Sequence, residues 1–336
     1  MTPPTDLPGR RSSRDRYLPG SLEIVGVVLV LAILTRIPLA EWLNSVLPAG
    51  WPTVFIAICV QATPFLVLGV LVSGAIAAFV PASFFQRFMP RRAAVAVPVA
   101  GVCGIALPGC ECGSVPIAKR LMERGVRPSA ALAFLLSAPA VNPIVLVATA
   151  VAFPGEPAMV WARLVAGLGT AIVVGWIWER IGKPEWMRPR MKELEDDQGT
   201  GWRVFVPTMR ADFTQAAGFL VLGAAAAATL NTVVPRSWMS HVGSSVLLTI
   251  GTMALLALLL ALCSESDAFV AASFSTIPVV GKLVFLTVGP AVDVKLFALQ
   301  SGTFGRRFAI RFAPLTLAVA VVMATVVGLV FFGGWR

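Results

Sequence analysis

Two short segments of this 336-residue chain place reactive side chains inside long apolar stretches. One is Cys110-Glu111-Cys112, and the other is Cys263-Ser264-Glu265-Ser266-Asp267. Thiolates favour soft cations such as Zn²⁺, Cu(I) and trivalent arsenic. A Cys-x-Cys pair with one distant cysteine suits a transient three-coordinate ligand better than a permanent structural zinc site. We therefore predict that three thiols bind a thiophilic substrate, namely Cys110, Cys112 and Cys263.

Carboxylates in the same stretches accept protons or harder cations. An ionisable group at the bilayer centre costs roughly 2.5–3.5 kcal/mol, so it normally marks a pathway or a site. We predict coupling or pathway roles for six residues, which are Glu111, Asn142, Glu265, Asp267, Asp293 and Lys295.

Structural roles are the competing interpretation for several of these residues. The Cys-x-Cys pair could be simple packing, although a glutamate between two buried thiols disfavours this. Asp293 and Lys295 could pair with each other, or Lys295 could extend its ammonium to the membrane surface. Arg163 is expected at the membrane interface. His241, the only histidine, is expected at the surface, which excludes a histidine-rich metal site.

The composition defines the class of protein that must position these groups. Hydrophobic residues make up 57% of the chain and charged residues 13%, about half of the ~25% typical of soluble proteins. This indicates a polytopic α-helical membrane protein and excludes secreted disulfide scaffolds, nucleic-acid binders and cytosolic enzymes. The phosphate-binding motif G-x-x-x-x-G-K-[ST] does not occur, so no ATPase domain is expected in this chain.

Seven apolar stretches each have the ~20 residues that a helix needs to cross a bilayer. They are residues 21–40, 51–80, 128–153, 157–180, 212–234, 279–301 and 307–333. Residues 1–20 are predicted to form a disordered cytoplasmic tail, 21–40 an extra transmembrane helix, and 182–210 a charged cytoplasmic linker.

Two further apolar stretches, residues 93–118 and 244–281, favour re-entrant hairpins over simple spans. The first contains three prolines and four glycines, and the second has a polar cluster in its middle. Irregular backbone at membrane depth persists only when it is buried in protein or lines a cavity. The reactive segments lie at the expected tips of the two hairpins.

The distribution of basic residues supports this topology. If both hairpins return to the side they enter from and the tail is cytoplasmic, 21 of the 27 lysines and arginines lie inside. If residues 93–118 crossed the membrane, the four basic residues of 119–127 would move outside. The predicted location is the plasma membrane, with a cytoplasmic amino terminus and an external carboxyl terminus.

The two halves of the chain repeat each other. Residues 61–69 match 215–223, and Pro139-Ala140-Val141-Asn142 corresponds to Pro290-Ala291-Val292-Asp293. The two reactive segments also align. Repeat 1 covers 51–181 and repeat 2 covers 211–333, each with three spans and a hairpin. An odd number of crossings inverts the second repeat, which is the architecture of secondary transporters.

At these residues the sequence resembles the ArsP-type permeases, a bacterial family of predicted permeases that includes the YraQ-like proteins. Four ordered motifs carry the resemblance, over about residues 50–330. They are Leu-Pro-x-Cys-x-Cys-Gly-x-x-Pro at 107–116, Ala-Phe-Leu-x-x-x-Pro-x-x-Asn-Pro at 133–143, Cys-Ser-x-x-Asp-Ala-Phe at 263–269 and Gly-Pro-x-x-Asp at 289–293.

The resemblance implies a plasma-membrane permease, and we expect no cofactor. Efflux of trivalent organoarsenicals is the best-known activity of such proteins, and other members are implicated in handling zinc or copper. One position differs, because relatives often carry a small residue between the two cysteines where this chain has Glu111. An acidic residue there suits a cation or a proton-coupled site. It weakens the inference that this chain shares the organoarsenical substrate of its relatives.

The leading hypothesis is export of a thiophilic metal or metalloid by alternating access of two repeats. The expected partners are this substrate and the lipid bilayer, without nucleic acid, and the sequence defines no oligomeric state or accessory subunit.

One alternative is a permease for a small anion or organic solute that uses Lys295 and helix N-termini. Another is a membrane thiol–disulfide oxidoreductase, which is disfavoured because such enzymes usually carry Cys-x-x-Cys near the aqueous surface.

Overall fold

The computed structural model describes most of the chain from residue 50 onward. The described ranges are 50–80, 84, 90, 92–106, 111–187, 201–233, 246–274 and 277–334. The predicted tail (1–20), the predicted first helix (21–40), Cys110 and His241 lie outside these ranges. The middle of the predicted linker (182–210) lies outside them as well.

Within these ranges all regular structure is helical. The helices in chain order are α1 (Trp51–Phe79), α2 (Ala93–Cys103), α3 (Glu111–Glu123), α4 (Pro128–Val141), α5 (Pro143–Ala152), α6 (Pro157–Ile181), α7 (Trp202–Val233), α8 (Val246–Leu260), α9 (Asp267–Ser273), α10 (Val279–Ala291), α11 (Val294–Thr303) and α12 (Arg306–Phe332). Short 3₁₀ turns cover Gly104–Ala106 and Pro184–Trp186.

Six helical segments of the described chain are long and apolar enough to cross a membrane. They are residues 51–79, 128–152, 157–181, 204–229, 279–303 and 306–332. Each coincides with a predicted span, so the all-helical, multi-pass class is confirmed. One boundary differs, because α7 begins at Trp202, inside the predicted linker. The charges near its start lower its hydropathy but do not end the helix, since Asp212 is paired inside the protein.

Two of the six segments are interrupted at equivalent places. Between α4 and α5, the Asn142 side chain accepts a hydrogen bond from the Val145 amide at 2.9 Å. Pro143 keeps the preceding residue out of the helical conformation, so the break falls at Asn142. Between α10 and α11, the Asp293 carboxylate accepts from the Leu296 amide at 2.5 Å. Each residue therefore caps the helix that follows it.

The two stretches that the sequence singled out as irregular form pairs of short helices. In the first, α2 leads into a 3₁₀ turn, and α3 begins at Glu111. In the second, α8 ends before Ala261, whose φ of 47° is rare for a residue other than glycine, and α9 begins at Asp267. With 11 and 15 residues, α2 and α8 are shorter than the ~20 residues that cross a bilayer.

The described helices follow the same order in both halves of the chain. A long helix (α1 or α7) is followed by two short helices, an interrupted helix and a second long helix. Helix α1 packs along α7, α4 packs against α2 and α6, and α10 packs against α8 and α12. The second short helix of each half also packs on the interrupted helix of the other, α3 on α11 and α9 on α5. These last contacts bring the predicted site residues of both halves together.

Glycines permit two of the closest contacts. Gly69 on α1 faces the backbone of Gly113 on α3, where a Cβ atom would overlap it. Gly223 occupies the matching position on α7, and a Cβ atom there would lie 2.7 Å from the Lys295 Cα atom. Both glycines belong to the repeated 61–69 and 215–223 segments, so these segments place the long helices directly against residues beside the predicted site.

Candidate functional site

Lys295 is the centre of a buried cluster that unites both halves of the chain. Its ammonium forms ion pairs with the Glu111 carboxylate and, at 3.4 Å, with Asp293 Oδ2. It also donates hydrogen bonds to the main-chain carbonyls of Ala261 at 3.1 Å and Leu262 at 3.5 Å. The Lys295 side chain is 0% exposed. Its ammonium therefore does not extend to the surface, and it pairs with Glu111 as well as with Asp293.

The two described thiols of the predicted site lie near the same ammonium. Cys112 follows Glu111 in the first turn of α3, and Cys263 lies in the break after α8. Both are buried, and both lie within electrostatic reach of Lys295. The structure thus brings Glu111, Cys112, Cys263 and Lys295 together from segments far apart in the sequence.

The break after α8 explains why carbonyl oxygens face a lysine here. Main-chain carbonyls that lie just beyond a helix have no helical partner, and when buried they need another hydrogen-bond donor. The left-handed backbone at Ala261 ends the α-helical pattern, and the carbonyls of Ala261 and Leu262 point to the Lys295 ammonium. A cation is favoured at such a helix end.

Arg163 is a member of the site that sequence reasoning placed elsewhere. It was expected at the membrane interface, but it is 1% exposed. Its Nη2 atom lies 2.8 Å from both carboxylate oxygens of Asp267 and donates to the Ser264 carbonyl at 3.0 Å. Its Nη1 atom donates to Thr149 Oγ1 at 2.8 Å. The available signal was its position inside a predicted span, where an unpaired charge is costly.

Glu265 and Glu111 contain carboxyl oxygens available to a ligand. Both carboxyl oxygens of Glu265 and the Oε2 atom of Glu111 are buried and accept no hydrogen bond within the described part of the chain, whereas Glu111 Oε1 contacts the Lys295 ammonium. Glu265 lies within electrostatic reach of Glu111, Lys295 and Arg163. Four predicted carboxylates therefore share one region with two basic side chains, which leaves an excess of acidic groups.

A cavity of about 190 Å³ adjoins this region and reaches Cys263. Gln61 of α1 lines it and donates a hydrogen bond to Ser266 Oγ at 2.5 Å. The matching Gln215 of α7 donates to the Gly302 carbonyl at 3.0 Å. Sequence comparison of the two halves identified both glutamines as repeated, but it did not show that each holds a neighbouring segment in place.

A second buried ionic cluster was not predicted at all. Asp212 of α7 accepts hydrogen bonds from Arg120 Nη2 at 3.0 Å, Ser73 Oγ at 2.9 Å and Lys119 Nζ at 3.3 Å. Arg120 also contacts Glu123 at 2.5 Å. Burial raises the pKa of Glu123 despite the nearby Arg120 and Lys119. This cluster ties α3 to α7, whereas the Arg163–Asp267 pair ties α9 to α6.

Asn142 stands at the break of an interrupted helix. Asn142 is buried, caps α5 and donates to the Ala138 carbonyl at 3.1 Å. Cys110 lies outside the described residues. No group of three or more histidine, cysteine or acidic side chains is arranged to hold a metal ion among the residues that the structure describes. The three-thiol metal site remains a prediction.

Comparison with known proteins identifies related membrane proteins. The ArsP_1 family model, described as a predicted permease, matches residues 49–331. The UPF0718 protein YcgR of Bacillus subtilis is 34% identical over 278 residues, which are 81% of this chain and 94% of that protein. A Streptococcus mutans protein named as a putative two-component membrane permease complex subunit is 30% identical over 282 residues, 82% of this chain and 94% of that protein. No solved structure matches the chain.

Proposed function

Because the chain belongs to the ArsP_1 family of predicted permeases, we propose that it is a secondary transporter of the plasma membrane. Its cargo is a thiophilic metal or metalloid species such as Zn²⁺, Cu(I) or a trivalent arsenical, and the direction is export. Cys110, Cys112 and Cys263 bind the cargo. Glu111, Glu265, Asp267 and Asp293 carry the coupling ion or add ligands.

One observation carries this proposal: thiols from both halves of the chain lie within electrostatic reach of a single buried ammonium, that of Lys295. Soft cations prefer thiolates, and Cys112 and Cys263 supply this chemistry from two separate segments. Glu111, beside Cys112, contributes a buried carboxylate that pairs with Lys295 through Oε1 and has a second oxygen, Oε2, that accepts no hydrogen bond from the described residues. A cation that binds both thiols therefore also meets an acidic group that favours positive charge.

Alternating access is supported by two ionic contacts that join opposite halves. Arg120 of α3 pairs with Asp212 of α7, and Asp267 of α9 pairs with Arg163 of α6. We place the first pair toward the cytoplasm and the second toward the outside, with the two halves as inverted repeats. Separation of one pair while the other stays closed would open the central cluster to one side at a time.

The alternative cargo, a small anion, is disfavoured by the charges around the site. Lys295 faces two carboxylates, and Arg163 faces the carboxylate of Asp267. Both basic side chains of the region are thus neutralised by nearby acids, and the acidic groups are in excess. Such a region attracts a cation more strongly than an anion.

A tolerance assay tests the proposal. A strain lacking the protein is expected to be hypersensitive to zinc, to copper or to a trivalent arsenical, and the wild-type chain is expected to restore growth. Variants Cys112→Ser and Cys263→Ser at equal protein levels are expected not to restore it, and neither is Cys110→Ser. Cys103→Ser is the matched control, because Cys103 is exposed at the end of α2.

The outcomes of this assay test the role of the thiols and identify the cargo. Retention of wild-type tolerance by all three cysteine variants would remove the thiols from the mechanism and favour the anion or organic-solute alternative. Hypersensitivity restricted to one metal would identify the cargo. Uptake of that metal into inside-out vesicles, with loss of uptake in Cys263→Ser, would establish export.

A further inference from the structure

The surroundings of the Lys295 ammonium have the composition of an inorganic-cation site. Four oxygen atoms from three segments face it, two from carboxylates and two from main-chain carbonyls. They belong to Glu111, Asp293, Ala261 and Leu262. Carboxylate and carbonyl oxygens are the ligands that hard cations prefer in proteins. We call these four residues the oxygen cage.

The oxygen cage is built by the fold rather than by the lysine alone. Its carbonyls come from the unwound end of α8, where Ala261 adopts a left-handed backbone. Asp293 is held in place because its other oxygen, Oδ1, caps α11 through the Leu296 amide. Glu111 stands at the first position of α3. The fold thus positions the main chain of each of these residues at a helix end, and we expect them to stay close together without an ammonium between them.

The oxygen cage carries more acidic groups than the Lys295 ammonium can neutralise, and not all of its carboxyl oxygens have a hydrogen-bond donor. Two carboxylates face one ammonium, so the cage has an excess acidic group. Glu111 is 0% exposed; its Oε1 atom contacts the Lys295 ammonium, whereas its Oε2 atom accepts no hydrogen bond within the described part of the chain. A buried carboxylate with one oxygen lacking a donor, in a cage with excess negative charge, favours a further positive charge.

We propose that the oxygen cage is a binding site for a small cation and that the Lys295 ammonium occupies it as a tethered substitute. The ligand class is an alkali cation or a primary alkylammonium ion. Because Glu111 belongs both to the cage and to the thiol-bearing segment, a cargo cation at Cys112 and Cys263 competes with the ammonium for the same carboxylate. This last step rests on the proposed function, whereas the cage itself does not.

A tethered cation gives the carrier a specific advantage. When the cargo arrives, the ammonium leaves Glu111, and when the cargo departs, the ammonium returns and neutralises the cage. The empty carrier therefore never exposes two bare carboxylates in the membrane, which would be costly. It also needs no sodium or potassium from solution to complete its cycle.

Thermal unfolding of purified full-length protein tests the cage without reference to the cargo. The variant Lys295→Ala empties the cage and is compared in sodium, potassium, butylammonium and N-methylglucamine chlorides of equal ionic strength. We expect the melting temperature to be roughly 5 °C higher with a small cation or butylammonium than with bulky N-methylglucamine. Wild-type protein and Lys282→Ala, whose lysine lies over the Phe153 ring instead, are expected to melt equally in all four salts.

Two further variants keep the test decisive. The double variant Glu111→Gln/Lys295→Ala removes an acidic ligand of the cage and is expected to lose the preference for small cations. If Lys295→Ala cannot be purified in any salt, Lys295→Ser, which also empties the cage, is measured in its place. Equal melting of the single lysine variant in all salts, or an undiminished preference in the double variant, would overturn the tethered-cation proposal. Neither result depends on which cargo the protein carries.

Discussion

Arg163 and Asp267 lie 104 residues apart in the chain, yet the Arg163 Nη2 atom lies 2.8 Å from both carboxylate oxygens of Asp267. Both side chains are almost completely buried. This pair holds the polar start of α9 against α6, and the same guanidinium also binds the Ser264 carbonyl next to Cys263. A residue in the first half of the chain thus positions a thiol-bearing segment of the second half.

Asp267→Asn is expected to destabilise the protein strongly, because it leaves the Arg163 guanidinium buried without an acidic partner. Loss of one partner of a buried ion pair costs about 3–5 kcal/mol. Thermal unfolding in detergent measures the effect. The double variant Arg163→Met/Asp267→Leu removes both charges and is expected to be more stable than either single charge deletion. Equal stability of Asp267→Asn and wild type would show that the pair is not maintained in the membrane protein.

Asp212→Asn is expected to weaken the second ionic cluster. Its carboxylate neutralises Arg120 and Lys119 together, so its removal leaves Glu123 as the one acidic partner of both basic groups among the described residues. Ser73→Ala is the matched control, since it removes one hydrogen bond to the same carboxylate and is expected to cost only about 1 kcal/mol. The two melting temperatures are compared directly. A larger effect of Ser73→Ala would contradict the assignment of Asp212 as the centre of this cluster.

Glu123→Gln is expected to alter how stability depends on pH. Burial raises the pKa of Glu123, so the folded protein binds this proton more tightly than the unfolded chain does. Stability therefore falls as pH rises from the ordinary glutamate pKa through the raised value. Arg120, Lys119 and Asp212 face the same carboxyl group and stay in place in the variant. Melting temperatures recorded across this window are expected to decline less in Glu123→Gln, and an unchanged slope would assign the pH dependence to other groups.

Gly223→Ala is expected to lower both the yield and the melting temperature of the folded protein. A methyl group at this position would lie 2.7 Å from the Lys295 Cα atom, and the contacting atoms are backbone that cannot move aside. Gly218→Ala, on the same helix with no atom within 4 Å of the added carbon, is the control and is expected to be neutral or slightly stabilising. Similar behaviour of the two variants would mean that α7 and α11 are farther apart than in this structure.

The helical, multi-pass architecture can be predicted from the sequence because the length of an apolar stretch is a local property of the chain. Every membrane-length helix of the described chain coincides with a predicted apolar stretch. Prolines, glycines and polar residues marked the irregular segments near Glu111 and Cys263. Helix α7 begins before the predicted 212–234 span because basic residues such as Arg210 indicate a linker there, and the buried partners of Asp212 on α1 and α3 are distant in sequence.

The sequence by itself also determined which chemical groups the site contains, since ionisable residues and thiols in apolar stretches are conspicuous. Only the tertiary structure decided how they are paired. Lys295 contacts Glu111 and not merely its neighbour Asp293, and Arg163 is buried with Asp267 instead of lying at the interface. The physical reason is that a buried charge is stabilised by whichever opposite charge or carbonyl oxygen the packing of distant helices brings within reach. Local sequence specifies the need for a partner, and the fold supplies it.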